Sequence, residues 1–247
     1  MRTVGLARAL SKLGYCSRSH AQQLIRAGRV QVNGTVKRNP EAAVYLERDR
    51  IEVDGGRVRP AERIYLMLNK PHGLVTTAAD EKGRPTVYSK LDHDLPWLAP
   101  VGRLDKASEG MLLLTNDSEW AARVLAPETQ LLKTYHVQVS GLRDTELVDA
   151  LMKGLRVSSG DFLRVNDARI LRRGNRNTWL TIVLDEGKNR HIRRMLDELG
   201  IEVLRLVRVA IGPLTLGDLA KGASRPLTFG EKSAMDAAMQ QSAGKGK

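Results

Sequence analysis

Gly102-Arg103-Leu104-Asp105-Lys106-Ala107-Ser108-Glu109-Gly110 runs without a break into Met111-Leu112-Leu113-Leu114-Thr115-Asn116-Asp117. The apolar run from Met111 to Leu114, set between polar segments, reads as a strand buried on both faces, because a half-exposed strand would alternate. A polar loop feeding such a strand stands on a rigid frame, which places Asp105 beside the core and near a cleft. Taken alone, an aspartate in a loop of this kind is most often a turn or cap residue. Its meaning depends on what the rest of the chain brings to it.

Outward from this stretch, strand-like and helix-like segments alternate. Strands are expected at Ile64–Leu68, Met111–Thr115, Thr134–Val139, Leu163–Ile170, Trp179–Leu184 and Val203–Val209, and helices at Glu119–Leu125, Thr145–Lys153 and Arg190–Leu199. Several of these strands are joined by turns too short for a crossover helix. The pattern is therefore α+β, with a mostly antiparallel mixed sheet flanked by helices over residues 63–235. The last stretch, 236–247, is small, polar and basic toward its end, and disorder is expected there.

The N-terminal quarter has its own pattern. Leu6, Leu10 and Leu13 recur at helical spacing and stop at Gly14. A second short helix starts at Ser17 or Ser19 as N-cap, with Ala21, Leu24 and Ile25 on its apolar face, and ends at Gly28. Arg29–Val32 alternates as a strand and turns at Asn33-Gly34, a hairpin signal, and Ile51–Asp54 closes the unit before Gly55-Gly56. This small α/β module spans residues 1–58; Gly55-Gly56 and Pro60 punctuate its end, and a linker is expected over 59–62. Residues 1–60 hold twelve Lys and Arg against five acids, so they supply seven of the chain's net +12. Such a charge calls for a polyanion, nucleic acid before membrane.

Several chemistries lack their residues. The five histidines are scattered, Cys16 is the lone cysteine, and no pair has zinc spacing, so no metal and no internal disulfide are expected. No glycine-rich phosphate cradle occurs, so no nucleotide cofactor is expected. No run of apolar residues is long enough to span a membrane, and no signal peptide is expected at the start of the sequence. An enzyme here would use its own side chains. Two further segments stand out beside Asp105. Lys133-Thr134-Tyr135-His136-Val137 starts a strand with one of five tyrosines, whose ring offers a flat face to a base. Glu186-Gly187-Lys188-Asn189-Arg190-His191-Ile192-Arg193-Arg194-Met195 opens a helix with cations, which oppose the helix dipole and need another reason, such as RNA phosphate or a carboxylate partner.

The module resembles the S4 RNA-binding domain through Leu10–Gly14, Cys16-Ser17-Arg18, Leu24–Val30 and Val32-Asn33-Gly34. It departs at His20, where the family usually carries an acid that would complete a capping box with Ser17. The three later segments, with Met67–Gly73, Gly83–Val87 and Val203–Arg208, resemble the RsuA-like ribosomal pseudouridine synthases, which also carry an S4 domain; the resemblance covers roughly 3–230. It implies isomerisation of uridine to pseudouridine in ribosomal RNA, without cofactor, on a flipped-out nucleotide. Residue by residue, it implies that Asp105 is the catalytic carboxylate, that Tyr135 stacks on the target base, that Arg193 pairs with the aspartate, and that Arg103 handles the target nucleotide. Lys188, Arg190 and His191 are expected at the substrate RNA, as are Arg18, Arg26, Arg29 and Lys37 of the module; His191 stands where the branch often has glutamine. The reaction breaks the N1–C1′ bond and joins C5 to C1′, so it needs no redox change and no energy input.

The lone Cys16 fits a reducing cytoplasm; a monomer acting on a free or partly assembled ribosomal subunit is expected, and the resemblance slightly favours 23S RNA over 16S. The rival reading is a non-catalytic S4-type RNA-binding or ribosome-assembly factor, which predicts loss of the aspartate or its arginine; both are present. An S4-bearing tyrosyl-tRNA synthetase or RNA methyltransferase would need nucleotide- or cofactor-binding signatures that the chain lacks.

Overall fold

The computed structural model describes residues 3–78 and 80–244. In helix α1 (Leu6–Lys12), Leu6 and Leu10 fall one turn apart and are fully buried. Helix α2 (Arg18–Arg26) starts at Ser17, whose hydroxyl accepts from the His20 amide, so the first of the two serines is the cap. Strands β1 (Val30–Val32) and β2 (Thr35–Lys37) form a hairpin across Asn33-Gly34, with φ of 52° and 78° at the two turn residues. Positive φ at both is what a tight hairpin with the right twist requires. Strands β3 (Ile51–Val53) and β4 (Gly56–Arg57) complete a four-stranded sheet. Its inward residues Val30, Val32, Ile51 and Val53 pack on the helices in one cluster.

The larger sheet has nine strands. Seven lie on its main path: β9 (Asp167–Arg173), β10 (Asn177–Leu184), β8 (Lys133–Ser140), β11 (Val203–Ile211), β7 (Glu109–Thr115), β5 (Tyr65–Lys70) and β12 (Ser224–Pro226), with β6 (Ala99–Val101) and Leu214–Thr215 paired at the side. All pairings are antiparallel except β11 with β7, where Val207 meets Glu109 and Arg208 meets Gly110. All seven residues of β7 are buried. Met111 and Leu113 enter one cluster and Leu112 and Leu114 the cluster on the opposite face, as a central strand covered on both sides demands. Helices α3 (Ser118–Leu125) and α6 (Phe229–Gly244) cover the first of those faces through Trp120, Met235 and Met239. At the other end of the sheet, α4 (Thr145–Lys153) and α5 (His191–Glu198) pack on β8 and β10. Among the described residues no helix is long and apolar enough to cross a membrane.

Two expectations are corrected. Leu163–Ile170 is not one strand: Phe162–Leu163 pairs with Leu155–Arg156, and β9 begins at Asp167. The apolar alternation slips phase between Val165 and Ala168, and the side chain of Asn166 accepts from the Asp185 amide at the break. Nor is the chain disordered from 236: α6 continues to Gly244. Met239 is buried there, and Asp236 accepts from the indole nitrogen of fully buried Trp120 at 3.0 Å. Residues 245–247 lie outside those described.

The two parts of the chain touch through Asn116 and Asp117, just beyond strand β7. The Asn116 side chain donates to Glu62 O at 2.7 Å and accepts from the Ile64 amide at 2.9 Å. Asp117 caps α3 and also receives Arg63 and the Tyr65 hydroxyl. Across the same seam, the Ala61 amide donates to Leu13 O at 3.0 Å, and Lys12 pairs with Glu119 at 2.6 Å.

Candidate active site

The Asp105 loop lies between β6 and β7 and is gripped from three directions. The Thr76 hydroxyl donates to Leu104 O at 2.8 Å, while the Leu104 amide donates back to it at 3.3 Å. The Gly73 amide donates to Lys106 O at 2.8 Å. From below, Lys70 at the end of β5 is fully buried, and its ammonium donates to Ser108 O at 2.7 Å and to Asp105 O and Pro71 O at 3.1 Å. Three carbonyls in place of water hold this charge imperfectly. Burial pushes the Lys70 pKa down to about 8, with Arg208 pushing the same way and Glu109 and Asp105 opposing. The grip is on the backbone of the loop, so the half-buried Asp105 carboxylate stays open to the cavity.

That cavity measures about 400 Å³. Asp105, Tyr135 and Arg193 all line it, as do Arg103, Lys188, Arg190 and His191. Tyr135 is half-buried and packs against apolar clusters on both sides, which fixes its ring. Arg193, on the first turn of α5, donates from Nη2 to Ala107 O at 2.8 Å, and its Nε is buried without a partner. Burial and the nearby Arg190 weaken its hold on its proton, while Asp105 strengthens it. The expected contact pair with Asp105 is not formed. The two groups sense each other's charge, but among the described residues no ion pair joins them, because the guanidinium is anchored on the loop backbone two residues further on. His191 is only 3% exposed, with Glu186 3.9 Å from Nδ1, and burial lowers its pKa, so it is wall rather than open donor. Arg103, Lys188 and Arg190 are exposed at the rim, with Arg190 in left-handed backbone at φ 50°. Among the lining residues the cations are Arg103, Lys133, Lys188, Arg190, Arg193 and Arg208, and Asp105 is the lone acid. A single carboxylate in a cationic wall, beside an ordered aromatic ring, suits a flipped nucleotide whose phosphates need countercharge and whose sugar needs an ionised acid.

Residues 64–198 match the family model described as RNA pseudouridylate synthase, and residues 4–44 match the S4 domain. An uncharacterized RNA pseudouridine synthase of Aquifex aeolicus (strain VF5) is 40% identical over 94% of this chain and 93% of its own length. The chain belongs to the RNA pseudouridylate synthase family. The ribosomal large subunit pseudouridine synthase B of Bacillus subtilis (strain 168) is 35% identical over 90% of this chain and 91% of that protein. A crystal structure of a pseudouridylate synthase superposes with a TM-score of 0.64 at 30% identity, covering 94% of this chain and 99% of the other.

In this pseudouridine synthase the S4 cations stand apart from the cavity wall. Arg18 and Arg26 are exposed, and Lys37 is half-buried. Arg29 is committed within the module: Nε and Nη2 donate to the two Asp54 oxygens at 2.8 and 2.5 Å. Two cavity-lining residues, Lys133 and Arg208, had no role in the sequence reading, and neither had Lys70, which holds the Asp105 loop from below. Lys70 and Arg208 each carried a signal, a charge set in a mostly apolar strand (Tyr65–Lys70, which also holds Asn69, and Val203–Ile211, which also holds Arg205), where burial without a purpose is costly. Among the described residues no three His, Cys, Asp or Glu side chains group as a metal site would need.

Proposed function

We propose that this pseudouridine synthase isomerises uridine in ribosomal RNA, large-subunit RNA before small, with Asp105 as the catalytic carboxylate. The observation that carries the assignment is that Asp105 is the single acid on a wall of six cations and shares that wall with Tyr135. The ribosomal substrate is favoured by the name of the Bacillus subtilis relative, which this chain matches over 90% of its own length. The target nucleotide leaves its stack at a cost of a few kcal/mol, offset by stacking on Tyr135 and by phosphate contacts at the rim with Arg103, Lys188 and Arg190. Arg193 anchors the Asp105 loop through Ala107 and keeps positive charge near the carboxylate. Residues 1–58 form the RNA-holding S4 unit, 59–62 the linker and 63–235 the catalytic unit, acting as a monomer on a free or partly assembled subunit in the cytoplasm.

Replacing Asp105 by asparagine keeps shape and removes the charge. RNA affinity is expected to stay within about threefold while pseudouridine formation falls by at least ~10³-fold, the loss typical of removing a group that acts covalently or as base. Single-turnover conversion of rRNA fragments, with mapping of the modified uridine, reads both. Wild-type rates in Asp105→Asn would end the assignment of Asp105. A site in 16S RNA would reverse the subunit preference.

A further inference from the structure

One buried cation of the cavity has no task in the reaction outlined above. Arg208 of β11 sits directly across from Tyr135 of β8, so both side chains leave the sheet on one face. Arg208 is 7% exposed and lines the cavity. Its Nε donates to Met111 O at 2.8 Å, while Nη2 is buried with no hydrogen-bond partner. Among the described residues no carboxylate pairs with it. Glu109, on the adjoining strand, is already held by Arg205 and Lys221. Two further cations, Lys70 and Lys133, feel the charge of Arg208. A guanidinium donor that is buried and unmade costs stability, and like-charged neighbours add to that cost. A ligand acceptor in the cavity would relieve it.

The acceptor is a carbonyl oxygen of the base rather than a phosphate. Phosphates of a flipped nucleotide stay toward solvent, where Arg103, Lys188 and Arg190 are exposed. A buried arginine across from the aromatic ring meets the edge of the base that lies on that ring. Uracil presents O2 and O4 there; cytosine replaces O4 by an amino donor, which a guanidinium would reject. We propose that Arg208 is a further catalytic residue, whose free Nη2 holds a carbonyl oxygen of the flipped uracil and carries the charge the base acquires. The inference rests on the placement of the target uridine in this cavity. When the N1–C1′ bond breaks, its electron pair leaves with the base, giving a monoanion shared by N1, O2 and O4 and an electron-poor C1′ beside Asp105. After the base turns, that pair forms the C5–C1′ bond. C5 then loses its proton, N1 gains one, and atoms and charge balance. A preorganised donor in a dry site stabilises such an anion far more than water would.

The test compares wild type, Arg208→Lys and Arg208→Met on rRNA fragments carrying uridine or 5-fluorouridine at the mapped target. Melting temperature, RNA affinity and single-turnover rate are measured for each. Arg208→Met keeps an unbranched side chain in the cavity without leaving a buried donor. The expected result is affinity within about threefold, a rate on uridine lower by ~10²–10³-fold, and partial recovery in Arg208→Lys. Fluorine stabilises the departing base anion, so cleavage of the 5-fluorouridine bond should suffer at least ~10-fold less from Arg208→Met than the uridine bond does. Equal losses on both bases with a lowered melting temperature would reduce Arg208 to a strand tie through Met111 and overturn the proposal. An unchanged rate would overturn it as well. Wild-type protein that forms no pseudouridine would overturn the functional reading and this inference together; an active wild type with either of the previous outcomes would overturn this inference alone.

Discussion

Lys70 and Asp105 divide the labour of the site between a buried and an open charge. The Lys70 ammonium spends all its hydrogen bonds on backbone carbonyls, so it orders the loop without neutralising the carboxylate. Its depressed pKa has a consequence for stability. Between about pH 8 and the ordinary lysine value of 10.5, the unfolded chain holds the Lys70 proton and the folded protein releases it. Stability rises with pH wherever the unfolded state binds more protons. The burial cost is therefore complete below pH 8 and is relieved as pH climbs toward 10.5. Wild type is expected to gain melting temperature relative to Lys70→Met over that window, and calorimetry at pH 7.5 and 10 reads the difference. A gap that stays constant would mean that Lys70 titrates in the native protein as it does unfolded.

At the scale of elements, the seam between β7 and β11 is where the site is made. It is the single parallel pairing of the large sheet, and it is possible because Gly110, at φ 99°, has no side chain; a Cβ there would collide with the Arg208 carbonyl. The loop entering β7 delivers Asp105, and the strand beside it delivers Arg208. Helix α6 supports this arrangement from behind through Met235 and Met239. Cutting the chain after Met235 removes buried Met239 and the acceptor of the Trp120 indole. A loss of roughly 2–4 kcal/mol is expected in urea unfolding, from the lost burial together with a buried donor left unpaired. A disordered tail would leave stability unchanged.

At the scale of the molecule, two RNA-facing parts are joined by Asn116 and Asp117, which hold the linker by backbone and side-chain bonds. The exposed Lys12–Glu119 pair adds little, because solvent screens it. The S4 cations are not equivalent. Arg18 and Arg26 are free to meet phosphate, whereas Arg29 must first leave Asp54. Replacing Arg18 and Arg26 by alanine is expected to weaken RNA binding and to lower the slope of log affinity against log salt by about 1–2. Arg29→Ala should change the slope by less. Filter binding between low and physiological salt distinguishes the two, and an unchanged slope in the double variant would remove the S4 unit from the binding surface.

The segment from Gly102 to Asp117 is legible in the sequence for physical reasons, and the limits of its reading are physical too. A run of large apolar residues can bury in only a few ways, Asn33-Gly34 can turn in only a few ways, and a serine before an apolar stripe caps a helix; these are short-range constraints carried by adjacent residues. Strands, helices, the two-part organisation and the candidates Asp105, Tyr135 and Arg193 followed from them and from the resemblance they support. Contacts between distant residues carry no such local mark. Lys70 lies 38 residues from Ser108, and Arg208 lies 97 from Met111, so neither partnership has a spacing to read. The phase slip before Ala168 and the helix beyond Asp236 went unread because pairing partners and the buried Trp120 decided them, not local propensity. Tertiary packing alone settled that Arg193 grips the loop backbone, that Arg29 is engaged by Asp54, and that an arginine with a free donor lies across from Tyr135.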